Sequence, residues 1–315
     1  MSKRFDVIGI GVYSIDFLGI LPSFPKPDSK NRMVRFTQQG GGLVATALVT
    51  LARLGAEVSF IGKFGDNVFS HLAINEFIKE KVDISGMIRE ENAGPYIAFI
   101  IVDEGKGDRT ICWTDQLFSP IKKEELSRDF ITSCHILHLD EHVLLETALL
   151  AASWAKEKGI KTMLDAEDPT KKELLPLIKL IDFLIIPEDF ALGFSNADNV
   201  ENAINFFLKQ GPQVVVITEG ERGSITATED KRFFQPAFKV NVIDTTGCGD
   251  VFHGAFIYGL LRNWPIEVVS EFASAVAAIK CTKLGGRAGC PSFEKVRGFL
   301  LSFGSEKMKF FLKSE

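Results

Sequence analysis

The sequence predicts an α/β fold: a doubly wound, mostly parallel sheet flanked by helices, with a small β-sheet lid. Two observations predict it. Short apolar runs alternate with helical segments along most of the chain, the pattern of a parallel sheet covered on both faces. Two β-like stretches, about 12–38 and 95–115, interrupt that alternation and are expected to pair into a second sheet. No internal repeat or low-complexity linker divides the 315 residues, so 1–315 reads as one domain from which the lid grows.

The elements follow in order. Residues 5–11 (FDVIGIG) are short, apolar and closed by glycines, as a buried strand is. Pro22, Pro25 and Pro27 forbid a helix over 20–30 and imply an extended excursion. Residues 43–54 read as a helix ended by Gly55, then come a strand at 57–62 and a helix at 68–80. Between 96 and 113 two β-rich runs flank a glycine-containing turn at 103–108, a hairpin signal. Further strands are expected at 134–139, 160–165, 181–186 and 213–218, with helices at 142–158, 171–179 and 199–210. A hairpin fits 223–235, and helices fit 249–262, 265–282 and 292–303. The aromatic tail from Phe303 to Leu312 reads as a helix packed on the body.

Composition narrows the function. Thirty-six Lys plus Arg against 41 Asp plus Glu give a net charge of -5, and no basic cluster argues for a nucleic-acid partner. The five cysteines (112, 134, 248, 281 and 290) are odd in number, scattered and without a CxxC pair, as expected of reduced thiols. The N-terminus shows no signal-peptide pattern and no apolar stretch is long enough for a bilayer, so the expected location is the cytoplasm, away from membranes.

The most informative segment is 244–256, Asp-Thr-Thr-Gly-Cys-Gly-Asp-Val-Phe-His-Gly-Ala-Phe. Thr245 and Thr246 are good capping residues, Gly247 and Gly249 permit close backbone approach, and an apolar helix begins near Asp250. Such a start presents unpaired N–H groups and the positive end of the helix dipole, which together suit an anion. An acidic residue there has an ordinary reading as a partner of the dipole, but the complete run is far more specific than Gly-x-Gly-Asp alone.

This run resembles the C-terminal signature of the PfkB (ribokinase-like) carbohydrate kinases, Asp-Thr-x-Gly-Ala-Gly-Asp. Gly41-Gly42 followed by a helix ending Arg53-Leu54-Gly55-Ala56 resembles that family's N-terminal signature, and 218–223 (TEGERG) its nucleotide-binding turn. The resemblance spans nearly the whole chain and implies the ribokinase-like fold. It implies an ATP-dependent kinase acting on a small sugar or sugar derivative, with Mg²⁺ bridging the phosphates and room in the pattern for a monovalent cation.

By position, the resemblance makes Asp250 the catalytic base and Gly247, Cys248 and Gly249 the anion hole. Gly41, Gly42 and Asp16 would hold the sugar, with Thr46, Lys30 and Arg109 as further contacts. Thr218, Gly220, Gly223 and Thr246 would border ATP, and Ala273 and Ala277 would wall the adenine. Phrases such as 39–47 (QGGGLVATA) and 280–289 (KCTKLGGRAG) are most similar to the bacterial sulfofructose kinase branch. Asp140, His142, Arg35, Trp113 and Asp165 are additional candidates at the sugar end.

Three positions depart from the family pattern. Thr46 replaces a common Asn and offers a hydroxyl in place of amide hydrogens. Ala191 stands where a metal-shell Glu is common, with Glu188 and Asp189 nearby, so the metal ligands are not assigned. Cys248 replaces Ala in the anion loop, first of all as a residue small enough to fit there; the sharper reading is a helix-start thiol made more acidic and open to oxidation. Two rivals remain. Gly9-x-Gly11 after a strand suggests an NAD-dependent oxidoreductase, although Ser14 fills the third glycine position. A nucleoside kinase of the same fold is the other. The lid edge admits a homodimer.

Overall fold

The computed structural model describes residues 3–105, 109–305 and 311. The first half runs β1 (Phe5–Ile10), β2 (Ser14–Leu21), β3 (Arg35–Gly41), α1 (Leu43–Leu54), β4 (Val58–Ile61), β5 (Lys63–Phe64), α2 (Val68–Lys79), β6 (Ile88–Arg89), β7 (Tyr96–Asp103) and β8 (Arg109–Thr114). It continues through α3 (Arg128–Ile131), β9 (Cys134–Asp140), α4 (Leu145–Glu157), β10 (Lys161–Asp165), α5 (Leu175–Ile178), β11 (Phe183–Pro187), α6 (Glu188–Ser195), α7 (Val200–Gln210) and β12 (Val214–Thr218). The chain then forms β13 (Gly223–Ala227), β14 (Arg232–Pro236), α8 (Cys248–Leu261), α9 (Ile266–Cys281) and α10 (Phe293–Ser302).

The main sheet has the order β14-β13-β12-β11-β10-β9-β1-β4. Six strands, β12 to β4, are parallel, and the β13–β14 hairpin closes one edge antiparallel. Both faces are buried. Val214 and Val216 point into one core with α1, α8 and α9, while Val215 and Ile217 point into the other with α4, α6 and α7. The period-two alternation of a strand sorts one apolar run between two cores, which is why these strands read as continuous apolar stretches.

A separate four-stranded sheet, β3-β2-β7-β8, forms from the two β-like interruptions. Its inner face buries Leu18, Ala98, Ile100 and Val102 against Leu284. Its outer face leaves Phe36 and Phe99 more than half exposed. Residues 106–108 of the expected hairpin turn, and 306–310 and 312 of the expected C-terminal helix, lie outside the described residues.

Local chemistry moved a few boundaries. The helix expected from 142 starts at Leu145, because Asp140 Oδ1 accepts the His142 amide (3.0 Å) and holds 141–143 in a turn. The helix expected over 171–179 splits into a 3₁₀ turn and α5, where Pro176 removes a donor near the helix start. The helix α6 was not expected. Among the described residues no helix is long and apolar enough to cross a membrane.

Candidate active site

Strand order reverses around β1, whose neighbours are β9 and β4, and the crevice outside the strand C-termini at such a switch point is where open α/β sheets bind ligands. Here Gly11 follows the last residue of β1. A Cβ there would lie 2.0 Å from Asp140 Oδ2, and one at Gly9 would lie 2.4 Å from Val44 Cγ1 on α1. Both glycines are spent on close packing inside the protein, which removes the basis of the dinucleotide reading. Asp140 is likewise internal: its Oδ2 accepts the Val12 amide at 2.8 Å, and burial pushes its carboxyl up to about 7.

The lid begins at this crevice. Asp16 on β2 is 6% exposed and accepts from the Ser14 hydroxyl at 2.7 Å. Burial, opposed by the Ser14 bond and the Arg287 charge, holds its carboxyl above the usual range. Gly41 ends β3 against it: a Cβ would sit 2.3 Å from Asp16 Oδ2 and 2.4 Å from Ser14 Oγ. Gly42 caps α1 at φ 93°, with Val12 O 2.4 Å from where its Cβ would be. The structure therefore gathers Asp16, Gly41 and Gly42. Gly41→Ala should displace the Asp16 carboxylate and raise the KM for the acceptor roughly 10–100-fold, leaving the KM for ATP unchanged in initial-rate assays.

Other expected sugar contacts fall elsewhere. Thr46 is 1% exposed, and its hydroxyl accepts from Arg287 Nε (3.3 Å), so it braces a buried guanidinium instead of facing a ligand. Lys30 lies in the exposed loop between β2 and β3. Along β2, Leu21 is five residues past Asp16, about 17 Å at strand rise, so that loop sits at the outer end of the lid. Arg109, at the start of β8, does come to the site, where its Nη1 donates to Thr245 Oγ1 on the phosphate loop. Tyr96 stacks on Trp113 (centroids 5.4 Å) and meets His142 edge-on at 5.7 Å, making an aromatic wall under the lid.

Residues 244–250 form the loop that leads into α8 and the first turn of that helix. Gly247, in the left-handed region at φ 73°, caps α8 without a side-chain bond, and Asp250 lies in the first turn. Of the three amides expected to form the anion hole, that of Cys248 already donates to Thr245 O (3.2 Å). No backbone or side-chain acceptor among the described residues takes the Gly249 amide. Thr246 does not face the cleft: its N–H and hydroxyl both donate to Asp244 Oδ1 at 2.8 and 2.7 Å.

The Asp250 carboxyl is raised well above the ordinary range, first by burial and then by the negative charge of Glu167, with Lys280 opposing. One turn on, buried His253 lies 3.4 Å from Asp165 Oδ1, and its ring faces that of His138 at 5.4 Å. Burial pushes Asp165 up and His253 down, so this inner group is uncharged.

Beside the loop opens a cavity of about 820 Å³, within the size range of cofactor sites. Thr218, Gly220 and Gly223 line one side, and Phe238, Val240 and Val242 form an apolar wall. On α9 the lining residues are Ser274, Ala277, Ala278 and Cys281. Ala273, expected at the adenine, is fully buried in the hydrophobic core, and its neighbour Ser274, about 100° further round the helix, lines the cleft with Ala277.

The sequence reading missed the groups that brace the site. Lys280 is wholly buried on α9 and donates to Asp244 O (2.9 Å). Asp244 Oδ2 accepts from the Gly285 amide at 2.6 Å. Arg287 donates to Gly41 O (2.7 Å), while Gln39 Oε1 takes the amides of Arg287 and Ala288, both at 3.0 Å. The only sequence signal was a lone Lys, and then a lone Arg, beside otherwise apolar or glycine-rich stretches.

Residues 4–292 match the model of the pfkB family of carbohydrate kinases. A fructokinase-2 of Oryza sativa subsp. japonica is 27% identical over 314 residues, which cover 91% of this chain and 91% of that protein. The crystal structure of ribokinase from Thermotoga maritima superposes with a TM-score of 0.82 at 28% identity, over 94% of this chain and 99% of that one. A ribokinase-II-like protein from E. coli, solved in complex with ATP and Mg²⁺, has a TM-score of 0.83 at 21% identity, over 96% of this chain and 100% of that one.

Proposed function

Because this chain belongs to the pfkB family of carbohydrate kinases and is an ATP-dependent kinase, we propose that it transfers the γ-phosphoryl group of ATP to a primary hydroxyl of a small sugar or sugar derivative. The single observation that carries the reading is the placement of Asp250, in the first turn of a helix whose Gly249 amide opens beside an 820 Å³ cleft.

Asp250 orients the acceptor hydroxyl and takes its proton as the phosphoryl group moves. A raised carboxyl pKa makes it a stronger base than an ordinary carboxylate. The transition state is loose and spreads charge over the transferred oxygens. Donors aimed at that charge matter most, at about 3 kcal/mol each, and the Gly249 amide, the dipole of α8 and Arg109 supply them. Asp16, with Gly41 and Gly42 leaving room for it, accepts from sugar hydroxyls. The aromatic wall of Tyr96 and Trp113 covers an apolar sugar face.

A divalent cation fits the electrostatics: the Glu167 charge raises the proton affinity of both Asp250 and Asp165, so acidic groups crowd beside the phosphate site. Glu167 is the residue that would hold Mg²⁺, which screens the phosphate charge. Glu188 is engaged by Arg222 at the rim of the cleft, and Ala191 is buried in the core. No observation here favours a monovalent-cation site.

The acceptor divides further. The phrases similar to the sulfofructose kinase branch lie mostly in the nucleotide half, which does not choose the sugar, and Arg109 is the basic candidate for an anionic sugar that the lid brings inward. A coupled ADP-release screen over ketoses, pentoses, sugar sulfonates, sugar phosphates and nucleosides tests the function. Turnover of a nucleoside alone, or of none, would refute the sugar-kinase reading.

The exposed outer lid face, with Phe36 and Phe99 beside Phe17 (ring centroids 6.4 and 5.3 Å), suits a second copy of the chain. Phe99→Lys should convert a dimer to a monomer by sedimentation; a wild-type monomer at high concentration would refute this. A cytoplasmic location accords with the thiol chemistry of the chain.

A further inference from the structure

We infer that Cys248 and Cys281 form a redox modification site, a dithiol that a small-molecule disulfide converts to an intramolecular disulfide, locking the start of α8 to the wall of the nucleotide cleft. Its effect on turnover rests on the kinase reading above; the sulfur chemistry does not.

The two side chains come from different helices and meet at the cleft. Cys248 opens α8 and Cys281 ends α9, and their Sγ atoms lie 2.8 Å apart. A disulfide bond is about 2.05 Å long, so less movement is needed than a rotamer adjustment provides. Both sulfurs belong to half-buried residues that line the 820 Å³ cavity, so a soluble reagent reaches them along the path the nucleotide takes. The remaining thiols lack this arrangement among the described residues. Cys134 and Cys290 are buried, and Cys112 stands exposed on the lid.

The pair is also polarised. The hydrogen bond from the Cys248 thiol, helped by the Lys280 charge, holds Cys281 down to about 7, while that same pairing and burial push Cys248 up. Cys281 is therefore the more acidic thiol of the pair, the reverse of what a helix-start position alone gives Cys248. A thiol with a pKa near ambient pH attacks disulfides fastest.

The chemistry balances in two steps. The Cys281 thiolate attacks one sulfur of glutathione disulfide, forms a mixed disulfide and expels one glutathione thiolate. The Cys248 thiol, giving its proton to that thiolate, then attacks the Cys281 sulfur and expels the second glutathione. The protein loses two electrons and the small disulfide gains them. Afterwards the first residue of α8 is tied to the end of α9 across the cleft wall. The bond fixes the residue that precedes Gly249 and Asp250 to the end of α9, so this loop can no longer adjust around an incoming phosphate.

The test treats reduced full-length protein with glutathione disulfide, digests it without reductant, and maps cross-links by mass spectrometry. The expected result is a 248–281 cross-link that ATP slows. Turnover should fall roughly tenfold or more, as displacement of a reacting group does, and dithiothreitol should restore it. In Cys281→Ser the cross-link should vanish and the ratio of oxidised to reduced turnover should approach one, whereas Cys112→Ser should change neither readout. Absence of the cross-link, or a cross-linked protein that turns over at the reduced rate, would overturn the proposal. If the reduced protein phosphorylates no acceptor, the kinase reading fails, and the cross-link with its slowing by ATP then decides the dithiol by itself.

Discussion

Asp250→Asn should keep ATP binding and lose about 10²–10⁴ in kcat, the range of a positioned general base. The amide still fills the first turn of α8 and leaves the Gly249 donor in place, so nucleotide affinity measured by calorimetry should change little. Wild-type kcat/KM should rise with pH, because the Asp250 carboxyl must ionise and its pKa lies well above the usual value. Stability should move the other way. A carboxyl whose folded pKa exceeds its unfolded one binds more protons when folded, so its contribution to stability is largest below the unfolded pKa and is lost as pH rises through the folded one. Once ionised, Asp250 is thus a cost to stability that Asn removes. The variant should melt at a higher temperature than wild type, an activity-for-stability exchange expected of a functional carboxylate. Full turnover in Asp250→Asn would remove this residue from the mechanism.

Arg287→Met should produce the largest loss of stability. The guanidinium is 3% exposed and donates to Gly41 O and to Thr46 Oγ1 while lying over the Phe77 ring at 5.4 Å. Losing two bonds from a charged donor costs about 3–5 kcal/mol, a melting shift of roughly 5–15 °C in calorimetry. Arg287→Lys should not rescue it, because a single ammonium does not span the two acceptors that the planar fork reaches. Its positive charge also helps ionise Asp16, so in Arg287→Met any residual activity should show a weakened acceptor KM. A variant with unchanged melting would mean that the 283–289 loop is held by other contacts.

These two residues differ in how visible they were beforehand. Asp250 sits in a thirteen-residue run, 244–256, much of which has a local reason to be what it is: caps, glycines for close approach, an apolar helix. Local chemistry of that kind is written in sequence. Arg287 belongs to a loop whose partners, Gln39, Gly41 and Thr46, come from the opposite end of the chain, and no spacing rule connects them. The same distinction separates Ala277, on the cleft, from Ala273, in the core. Both are small residues on one helix, and only the packing of α9 against α8 decides which of them faces the nucleotide.

By itself the sequence determined the alternation of strands and helices, the two interruptions that became the lid, and the phosphate loop with its carboxylate. Each depends on residues near one another in the chain, where periodicity and backbone preference act directly. Tertiary structure alone decided that Asp140, Thr46 and the Gly9-x-Gly11 turn serve the interior, that Arg109 reaches Thr245 while Lys30 does not approach, and that Cys248 faces Cys281. Those outcomes are set by which distant segments the folded sheet brings within a few ångströms, and burial and neighbouring charge then fix what each group can do.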